Sequence, residues 1–293
     1  MVQLQGSMTA LITPFRNGAV DENGFQKFVD WQIKSGIDGV VPVGTTGESP
    51  TLTHDEHKRV IEICIETVAK RVPVIAGTGS NSTAEAIDLT LHAQKAGADA
   101  ALVIVPYYNK PTQEGQYQHF KAVHDATEIP IIIYNVPGRT VANMTVETMA
   151  RLSKLPRIVG VKDATADLAR PALQRIASGA DFRQLSGEDA TALPFLIQGG
   201  HGCISVTSNV APTLTAQLQK AYRDGDLKTA IAINERLTPL HEVMFCETSP
   251  GPVKYAAELM GLASGELRLP MVEIGEASKA KVRTALTSAG LLN

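Results

Sequence analysis

Residues 131–162 read IIIYNVPGRTVANMTVETMARLSKLPRIVGVK. Two short apolar runs, Ile131–Tyr134 and Ile158–Lys162, lie on either side of a segment with the apolar spacing of a helix, Val146–Ser153. Apolar runs of this length are typical of strands buried on both faces, as in a parallel sheet covered by helices. The stretch therefore predicts a strand–helix–strand unit with parallel strands.

The same alternation extends in both directions along the chain. The predicted strands are Leu11–Thr13, Val40–Thr45, Val74–Ala76, Ala101–Pro106, Ile131–Tyr134, Ile158–Lys162, Phe182–Leu185 and Cys203–Val206. The predicted helices after them are Phe25–Ser35, His54–Ala69, Ala84–Ala96, Gly115–Ala126, Val146–Ser153, Leu168–Ala177, Ala190–Ile197 and Leu214–Tyr222. Eight such units favour an α/β fold, a (β/α)8 TIM barrel, over an open doubly wound sheet. That alternative is weakened because the glycine-rich dinucleotide motif is missing after the first strand.

The last part of the chain has a different pattern. From about Gly225 onward the strands stop, and the helical segments are Ala230–Cys246, Val253–Met260 and Glu276–Ala289. We therefore predict a catalytic barrel domain over 1–224 and a small all-α extension over 225–293.

Helix ends are marked by local signals. Gly36, Gly97 and Gly179 stand where helix C-caps belong, since glycine adopts a left-handed backbone there without strain. The sequences Thr53–Glu56 and Ser82–Glu85 both have the pattern of a capping box, which predicts a helix start at each.

Composition excludes several classes of function. The 293 residues carry a formal net charge of -3 and no basic run that would follow a phosphate backbone, so we expect no nucleic acid partner. No apolar run approaches the roughly 20 residues that span a bilayer, and Met8–Ile12 is too short for a signal peptide. Cys64, Cys203 and Cys246 form no CxxC pair and predict no disulfide framework, which favours a reducing, cytoplasmic compartment.

Lys162 is the most informative candidate residue, because barrel active sites lie at the C-terminal ends of the strands. Strand alternation predicts that Ile158, Gly160 and Lys162 share one face. On an inner face, burial disfavours the ammonium and favours the free, nucleophilic amine, and Gly160 leaves room for a ligand. The alternatives are a surface lysine at a strand end or a lysine paired with Asp163.

Three other strand ends carry groups that suit the same chemistry. Tyr134 lies in the same terminal layer one strand earlier, and its hydroxyl both donates and accepts protons; the alternative is a core tyrosine. Thr45 and Thr46 lie between glycines, in a turn that either binds a carboxylate or simply joins strand to helix. Arg139 follows a Pro-Gly turn, where a guanidinium either grips a carboxylate or lies in solvent.

Histidine is missing from the predicted strand ends. His54 and His57, with Glu56 between them, fit one helix face, but no further ligand is near in sequence. A polar-ligand or structural role is therefore favoured over zinc for this pair. His201 and Cys203 flank the start of the eighth strand and are expected to pack in the core.

Six motifs are spread over the chain: Val43–Ser49 (VGTTGES), Pro106–Pro111 (PYYNKP), Tyr134–Thr140 (YNVPGRT), Gly160–Ala164 (GVKDA), Leu185–Asp189 (LSGED) and Gly202–Thr207 (GCISVT). Together they resemble the dihydrodipicolinate synthase family, within the pyruvate-dependent class I aldolase superfamily. N-acetylneuraminate lyase is another member of that superfamily. The resemblance covers essentially the whole chain, including the C-terminal helices.

The resemblance implies a reaction, in which pyruvate condenses with L-aspartate-4-semialdehyde in the first committed step of lysine and diaminopimelate synthesis. It implies that Lys162 forms an imine with pyruvate, so that no metal and no organic cofactor is required. It also implies a proton relay of Tyr134, Thr45 and Tyr108, in which Tyr108 reaches into the site of a neighbouring subunit. Thr46 is implied to bind the carboxylate of pyruvate and Arg139 that of the semialdehyde. Gly187 and Ile204 are implied to line the pocket.

A regulatory site is also implied. Family members inhibited by L-lysine bind it at a dimer interface, through positions that match Ser49, His54, His57, Asn81, Glu85 and Tyr107. The family is usually a homotetramer built as a dimer of dimers. We therefore expect L-lysine as an inhibitor and a homo-oligomer as the working form.

Two other functions are weighed against this one. N-acetylneuraminate lyases resemble the chain around the threonine and lysine motifs but generally lack an arginine at the position of Arg139. A barrel that only senses a keto acid is the second alternative. The set of Lys162, Tyr134 and Thr45 argues against a sensor, because binding alone needs no imine chemistry.

Overall fold

A computed structural model describes residues 4–292. Within that range the strands are β1 (Gly6–Ala10), β2 (Phe15–Arg16), β3 (Ala19–Val20), β4 (Gly39–Val41), β5 (Ile75–Gly77), β6 (Ala100–Ile104), β7 (Ile131–Asn135), β8 (Ile158–Asp163), β9 (Arg183–Ser186) and β10 (Gly202–Ser205). The α-helices are α1 (Glu22–Lys34), α2 (His54–Val68), α3 (Thr83–Ala96), α4 (Gln113–Ala126), α5 (Pro137–Thr140), α6 (Val146–Leu152), α7 (Arg170–Ser178), α8 (Ala192–Ile197), α9 (Pro212–Arg223), α10 (Leu227–Val243), α11 (Gly251–Leu259) and α12 (Glu276–Ser288). Every predicted helix, and every predicted strand except the first, overlaps one of these elements.

The strand order identifies the fold class. Across residues 4–292, eight strands belong to one sheet in the order β4-β1-β10-β9-β8-β7-β6-β5. Neighbours such as β6 and β7, or β7 and β8, pair in parallel, and a helix separates each of the eight from the next along the chain. This is the predicted (β/α)8 TIM-barrel class, with helices α10 to α12 as the C-terminal extension. In the part of the chain described, no helix is long and apolar enough to cross a membrane.

The described residues group into two compact units. The first unit comprises 4–5 and 73–204, and the second comprises 6–72 and 205–292. The predicted domain ranges, 1–224 and 225–293, include residues 1–3 and 293, which lie outside the described residues. That division of the chain stays a prediction.

The core of the first unit decides which way its strand-end side chains point. Ile133 of β7 and Val161 of β8 are fully buried in one apolar cluster with Phe120 of α4 and Met149 of α6. Each such burial stabilises the fold by roughly 1.5–3 kcal/mol. Because strand residues alternate between faces, Tyr134 and Lys162, the next residues along, point to the face opposite the helices.

A register shift in β8 corrects one prediction. Ile131 pairs with Ile158, but Ile132 pairs with Gly160, so β8 carries one extra residue between them. Ile158 consequently lies in the same helix-facing cluster as Val161. The prediction that Ile158 shares a face with Gly160 and Lys162 is therefore wrong for Ile158, because the bulge interrupts the alternation.

The second unit is built on a parallel pair, in which Met8 of β1 lies opposite Gly39 of β4. A short antiparallel hairpin follows β1, with Phe15 opposite Val20. The sequence did not predict this hairpin because its strands are too short for a periodic signal. Phe25 and Phe28 of α1 are buried in this unit.

The first predicted strand, Leu11–Thr13, is wrong, since β1 ends at Ala10. Leu11 N still donates to Val41 O, but Ile12 N donates to the side chain of Asn209. The apolar run therefore continues past the ladder into a buried loop. The next strand ends at Val41, earlier than predicted, because Val43 has a left-handed backbone with φ +48°.

The helix-end signals were partly correct. Gly97 caps α3 in the left-handed conformation, and Gly36 and Gly179 have φ of +89° and +92°. The capping box from Thr53 to Glu56 is confirmed at the start of α2. The second box is wrong, because Ser82 makes no side-chain cap bond and Glu85 instead accepts a hydrogen bond from Ser80 Oγ.

Candidate active site

Lys162 lies near the C-terminal end of β8 with 6% of its surface exposed. Its Cα is in register with that of Tyr134 on β7 and that of Leu185 on β9. The Nζ atom of Lys162 lies 4.3 Å from the centre of the Tyr134 ring. The amine is thus held in a buried place against an aromatic ring whose hydroxyl is able both to donate and to accept a hydrogen bond.

Asp163 has its own partners on the other side of β8. Its carboxylate accepts hydrogen bonds from Arg170 Nε at 3.0 Å, Gln174 Nε2 at 2.8 Å and Thr165 Oγ1 at 2.6 Å. Successive strand residues face opposite sides, so this cluster lies away from the Lys162 amine. The alternative of a Lys162–Asp163 pair is therefore wrong, and the buried carboxylate is neutralised by Arg170 instead.

Two glycines near Lys162 have different functions. A Cβ on Gly187 would lie 2.7 Å from Ala164 Cβ and 3.1 Å from Lys162 Cε, so a side chain here would force Ala164 or the lysine stem to shift. A Cβ on Gly160 would lie 2.4 Å from the carbonyl oxygen of Arg183 on β9. Gly160 therefore permits close strand pairing, and the prediction that it leaves room for a ligand is wrong.

Glu188 is a titratable group at this strand end to which the sequence assigned no role. Burial raises the pKa of its carboxyl, as does the nearby charge of Asp189, while Lys162 and Arg139 lower it. The charges of both predicted cationic residues, Lys162 and Arg139, thus act on the Glu188 carboxyl. The pair of acids after Gly187 was the available signal in the sequence.

Asn135 is a second residue that sequence reasoning missed. It is fully buried at the end of β7, where its Nδ2 donates to Asn143 Oδ1 at 2.8 Å and its Oδ1 accepts from Met144 N at 3.1 Å. These bonds connect the two ends of the segment 136–143, which contains α5 and the exposed Arg139. The amide of Asn135 therefore anchors the segment that presents the arginine.

Tyr107 and Tyr108 follow β6 and differ in exposure. Tyr107 is half-buried, whereas 89% of the surface of Tyr108 is exposed, and its backbone is left-handed with φ +68°. The next residue, Asn109, donates from Nδ2 to the carbonyl of Asn81 at 2.8 Å. Ile204, also in the first unit, is fully buried in β10.

Thr45 and Thr46 lie in the second unit, in the turn that follows β4. Gly47 N donates to Gly44 O, and Glu48 N donates to Thr45 O, both at 3.1 Å. Thr46 is buried and Thr45 is half-buried. A Cβ on Gly47 would come within 3.1 Å of the carbonyl of Leu11, so a side chain here would require the neighbouring backbone to shift by a few tenths of an ångström.

The remaining predicted residues belong to the regulatory set. In the second unit Ser49 is half-buried, His54 is exposed and His57 is buried on α2. In the first unit Asn81 and Glu85 are half-buried near the start of α3. Within residues 4–292 no cluster of three or more His, Cys, Asp or Glu side chains is arranged to hold a metal ion. Glu56, which lies between His54 and His57 in the sequence, has both carboxylate oxygens bound by Arg268.

Comparison with known proteins decides the family. Residues 3–289 match the model of the dihydrodipicolinate synthetase family. The chain belongs to this family. The match spans both units and the C-terminal helices, as the sequence motifs predicted.

Individual members of the family are similar over their full lengths. The 4-hydroxy-tetrahydrodipicolinate synthase of Rhodospirillum centenum is 63% identical over 288 residues, which cover 98% of this chain and 99% of that protein. A chloride-inhibited dihydrodipicolinate synthase from Acinetobacter baumannii, solved in complex with pyruvate, has a TM-score of 0.96 and 45% identity, covering 99% of this chain and 100% of that one. The enzyme of Cyanidioschyzon merolae, solved with lysine bound, has a TM-score of 0.97 and 38% identity, covering 100% of both chains. The family membership and these relatives favour the synthase over the N-acetylneuraminate lyase alternative.

Proposed function

We propose that this chain condenses pyruvate with L-aspartate-4-semialdehyde to give 4-hydroxy-tetrahydrodipicolinate, the first committed step of lysine and diaminopimelate synthesis. The high identity to relatives with the synthase activity supports the reaction. The observation that carries the mechanism is the buried Lys162 amine, 4.3 Å from the centre of the Tyr134 ring at the end of the barrel strands. Enzymes of this family need no cofactor. In this chain a covalent imine between Lys162 and pyruvate is proposed to activate the substrate.

The proposed reaction begins with addition of the Lys162 amine to the ketone carbon of pyruvate. Loss of water gives an imine, and the protonated imine withdraws electrons from the adjacent methyl group. A methyl proton then leaves, an enamine forms, and its terminal carbon attacks the aldehyde carbon of the second substrate, whose oxygen takes up a proton to become the hydroxyl. The amino group of the second substrate then replaces the Lys162 amine at the imine carbon, which closes the ring and releases the enzyme. Both the loss of water and the loss of the methyl proton need a group that donates and accepts protons.

Tyr134 is proposed as that group, with Thr45 and Tyr108 as the other members of the relay. The short distance between the Tyr134 ring and the Lys162 amine supports the first assignment. The outward position and left-handed backbone of Tyr108 support a contribution to the site of another subunit, because strained backbone persists mainly where function requires it. Thr45 is assigned from the family motif and its half-buried turn.

Substrate carboxylates are assigned to two different groups. The backbone and hydroxyl of Thr46, in the turn after β4, are proposed to bind the carboxylate of pyruvate. Arg139 is proposed to bind the carboxylate of the semialdehyde through two hydrogen bonds, since guanidinium and carboxylate geometry match. Gly187 and Ile204 are proposed to line the pocket, and the proximity of Gly187 to the stem of Lys162 supports this for the glycine.

The active form is proposed to be a homotetramer arranged as a dimer of dimers. Three large aliphatic side chains of the first unit support association, since Leu173 and Ile176 are exposed on α7 and Ile197 is exposed at the end of α8. Contact with another chain would remove these side chains from water. The second proposed interface is the one that brings Tyr108 into a neighbouring site.

L-lysine is proposed as a feedback inhibitor, bound by Ser49, His54, His57, Asn81, Glu85 and Tyr107. The lysine complex of the Cyanidioschyzon merolae relative supports this ligand, and a carboxylate such as Glu85 suits its ammonium groups. A reducing, cytoplasmic location is proposed on the basis of three free thiols, Cys64, Cys203 and Cys246.

An assay with two substrates tests the function. Purified protein is expected to consume pyruvate with L-aspartate-4-semialdehyde and to leave N-acetylneuraminate uncleaved. Arg139→Met serves as a matched variant, expected to weaken the use of semialdehyde while pyruvate still forms its imine on Lys162. Cleavage of N-acetylneuraminate without condensation of the semialdehyde would overturn the proposal.

A further inference from the structure

The second unit contains a buried ion pair that the proposed mechanism does not use. The Nζ atom of Lys254, on α11, lies 2.5 Å from Oε1 of Glu48. The Lys254 side chain is 0% exposed and that of Glu48 is 2% exposed. Burial lowers the pKa of the Lys254 ammonium, and the charge of Glu48 opposes that change.

The same lysine also binds the loop after β1, and this loop in turn binds the turn after β4. Lys254 Nζ donates to the carbonyl of Thr13 at 2.9 Å, and Thr13 Oγ1 donates to the carbonyl of Gly47 at 2.7 Å. The turn after β4 is thus connected to Lys254 by two routes, through Glu48 and through Thr13. Gly47 and Glu48 directly follow Thr45 and Thr46 in the sequence.

Arg268 completes the arrangement from the C-terminal segment. Its backbone N donates to Oε2 of Glu48 at 3.2 Å, so both carboxylate oxygens of Glu48 are bound. Its guanidinium donates to the carbonyl of Thr51 at 3.0 Å and holds both oxygens of Glu56. The segment 48–56 is therefore bound to the C-terminal part of the chain at several points.

The energetics of this pair indicate a role beyond stability. Removing two charges from water is costly, and well-packed apolar residues of similar volume often stabilise a fold equally well. Glu48 is also held in the left-handed region, at φ +55°, which is unfavourable for a residue with a Cβ. Strain of this kind persists only where the surrounding contacts hold the residue in its conformation, and it is concentrated at functional sites.

We propose that Glu48 and Lys254 are positioning residues, which fix the turn 44–48 so that Thr45 and Thr46 present their hydroxyls and backbone N–H groups correctly. This inference rests on the proposed function, in which Thr46 binds the pyruvate carboxylate and Thr45 belongs to the relay. The ion pair acts only through the turn, and neither charge touches substrate. Its loss therefore impairs the use of pyruvate more than the use of the semialdehyde.

The test is a steady-state comparison of Lys254→Met with the unchanged enzyme. We expect the KM for pyruvate to rise about tenfold or more, the loss expected for one charge-assisted hydrogen bond, with little change in the KM for the semialdehyde. Borohydride trapping on Lys162 at saturating pyruvate should persist. A pyruvate KM within twofold of the unchanged enzyme, in folded protein, would overturn the inference.

Two further variants keep the test decisive. Glu48→Gln preserves volume and the acceptor for Arg268, so it decides the question in the same way if Lys254→Met does not fold. Arg236→Met is the matched control, because Arg236 binds the carbonyl of Ala289 at the end of α12. It is expected to lower the melting temperature without changing the pyruvate KM; an equal change of KM in this control would show a general effect of instability and overturn the inference.

Thr46→Ala separates failure of the inference from failure of the proposed function. If Thr46→Ala raises the pyruvate KM and neither Lys254→Met nor Glu48→Gln does so, the ion pair has no positioning role. If Thr46→Ala itself leaves the pyruvate KM unchanged, the assignment of the Thr46 hydroxyl to the carboxylate is wrong, which is a failure of the proposed function and not of the positioning role of the ion pair.

Discussion

The amine of Lys162 and the ring of Tyr134 are 4.3 Å apart and occupy paired positions on adjacent parallel strands. The pairing is fixed by the sheet, because Ile133 and Val161, one residue earlier on each strand, are buried together on the helix-facing side. The side chains that we propose as nucleophile and proton-transfer group are therefore aligned by backbone register. Their arrangement does not depend on a mobile loop.

Removal of the Tyr134 hydroxyl should affect turnover far more than structure. In Tyr134→Phe the ring still covers Lys162, but the hydroxyl that we propose to carry protons to and from the intermediates is gone. We expect kcat to fall by about 100-fold or more, with an unchanged circular dichroism spectrum. A kcat close to that of the unchanged enzyme would remove Tyr134 from the relay.

The cluster around Asp163 should contribute strongly to stability. Arg170→Met leaves the Asp163 carboxylate buried without its cationic partner, so we expect the free energy of unfolding to fall by about 3–5 kcal/mol. Chemical denaturation measures this change. Lys121→Met, which removes the exposed pair with Asp125, is the control and should have no measurable effect. Equal effects of the two variants would contradict the account.

Gly187 should be intolerant of a side chain. The Cβ of Gly187→Ala would be 2.7 Å from Ala164 Cβ and 3.1 Å from Lys162 Cε, so the lysine stem or the strand end must move. We expect a marked loss of imine formation with pyruvate, and borohydride trapping measures this loss. Gly138→Ala, where the added Cβ meets nothing within 4 Å, should retain trapping. Full trapping in Gly187→Ala would show that the lysine has spare room.

His119 should make stability depend on pH. Burial lowers the pKa of this histidine to about 4 from an ordinary value of 6.5, while its Nδ1 lies 2.9 Å from Thr83 Oγ1. The unfolded chain therefore takes up a proton that the folded chain does not. The contribution of neutral His119 is fully present above about pH 6.5 and is lost as the pH falls toward 4.

Comparison with His119→Asn measures that contribution. The unchanged enzyme should lose about 2 kcal/mol more of its unfolding free energy than the variant between roughly pH 7 and pH 5. Denaturant titrations at several pH values give both curves. Parallel curves over this interval would mean that burial does not lower the pKa of His119 in the folded protein.

Much of the fold and part of the candidate site followed from local sequence pattern. Apolar runs ending in polar clusters predicted the strands, and the alternation within β7 and β8 predicted that Tyr134 and Lys162 lie side by side. The bulge after Ile158 was not predictable, because one inserted residue leaves the apolar pattern unchanged while reversing the face. The first strand was misplaced because buried loop residues are as apolar as strand residues.

Interactions between distant residues were beyond the sequence. Lys254 and Glu48 are separated by 206 positions, and nothing local marks either as a buried charge. Asn135 looked like an ordinary residue after a strand, yet its amide closes the segment that carries Arg139. The roles of these groups depend on which backbone atoms the fold brings to them, and a periodic pattern does not contain that information.

The imine on Lys162 is tested by reduction of the enzyme with borohydride in the presence of pyruvate, followed by peptide mass spectrometry. We expect a reduced pyruvyl adduct on Lys162 and none on Lys254, the buried lysine that is paired with Glu48. We also expect that Lys162→Met yields no adduct. An unmodified Lys162, or an adduct on a different lysine, would contradict the account.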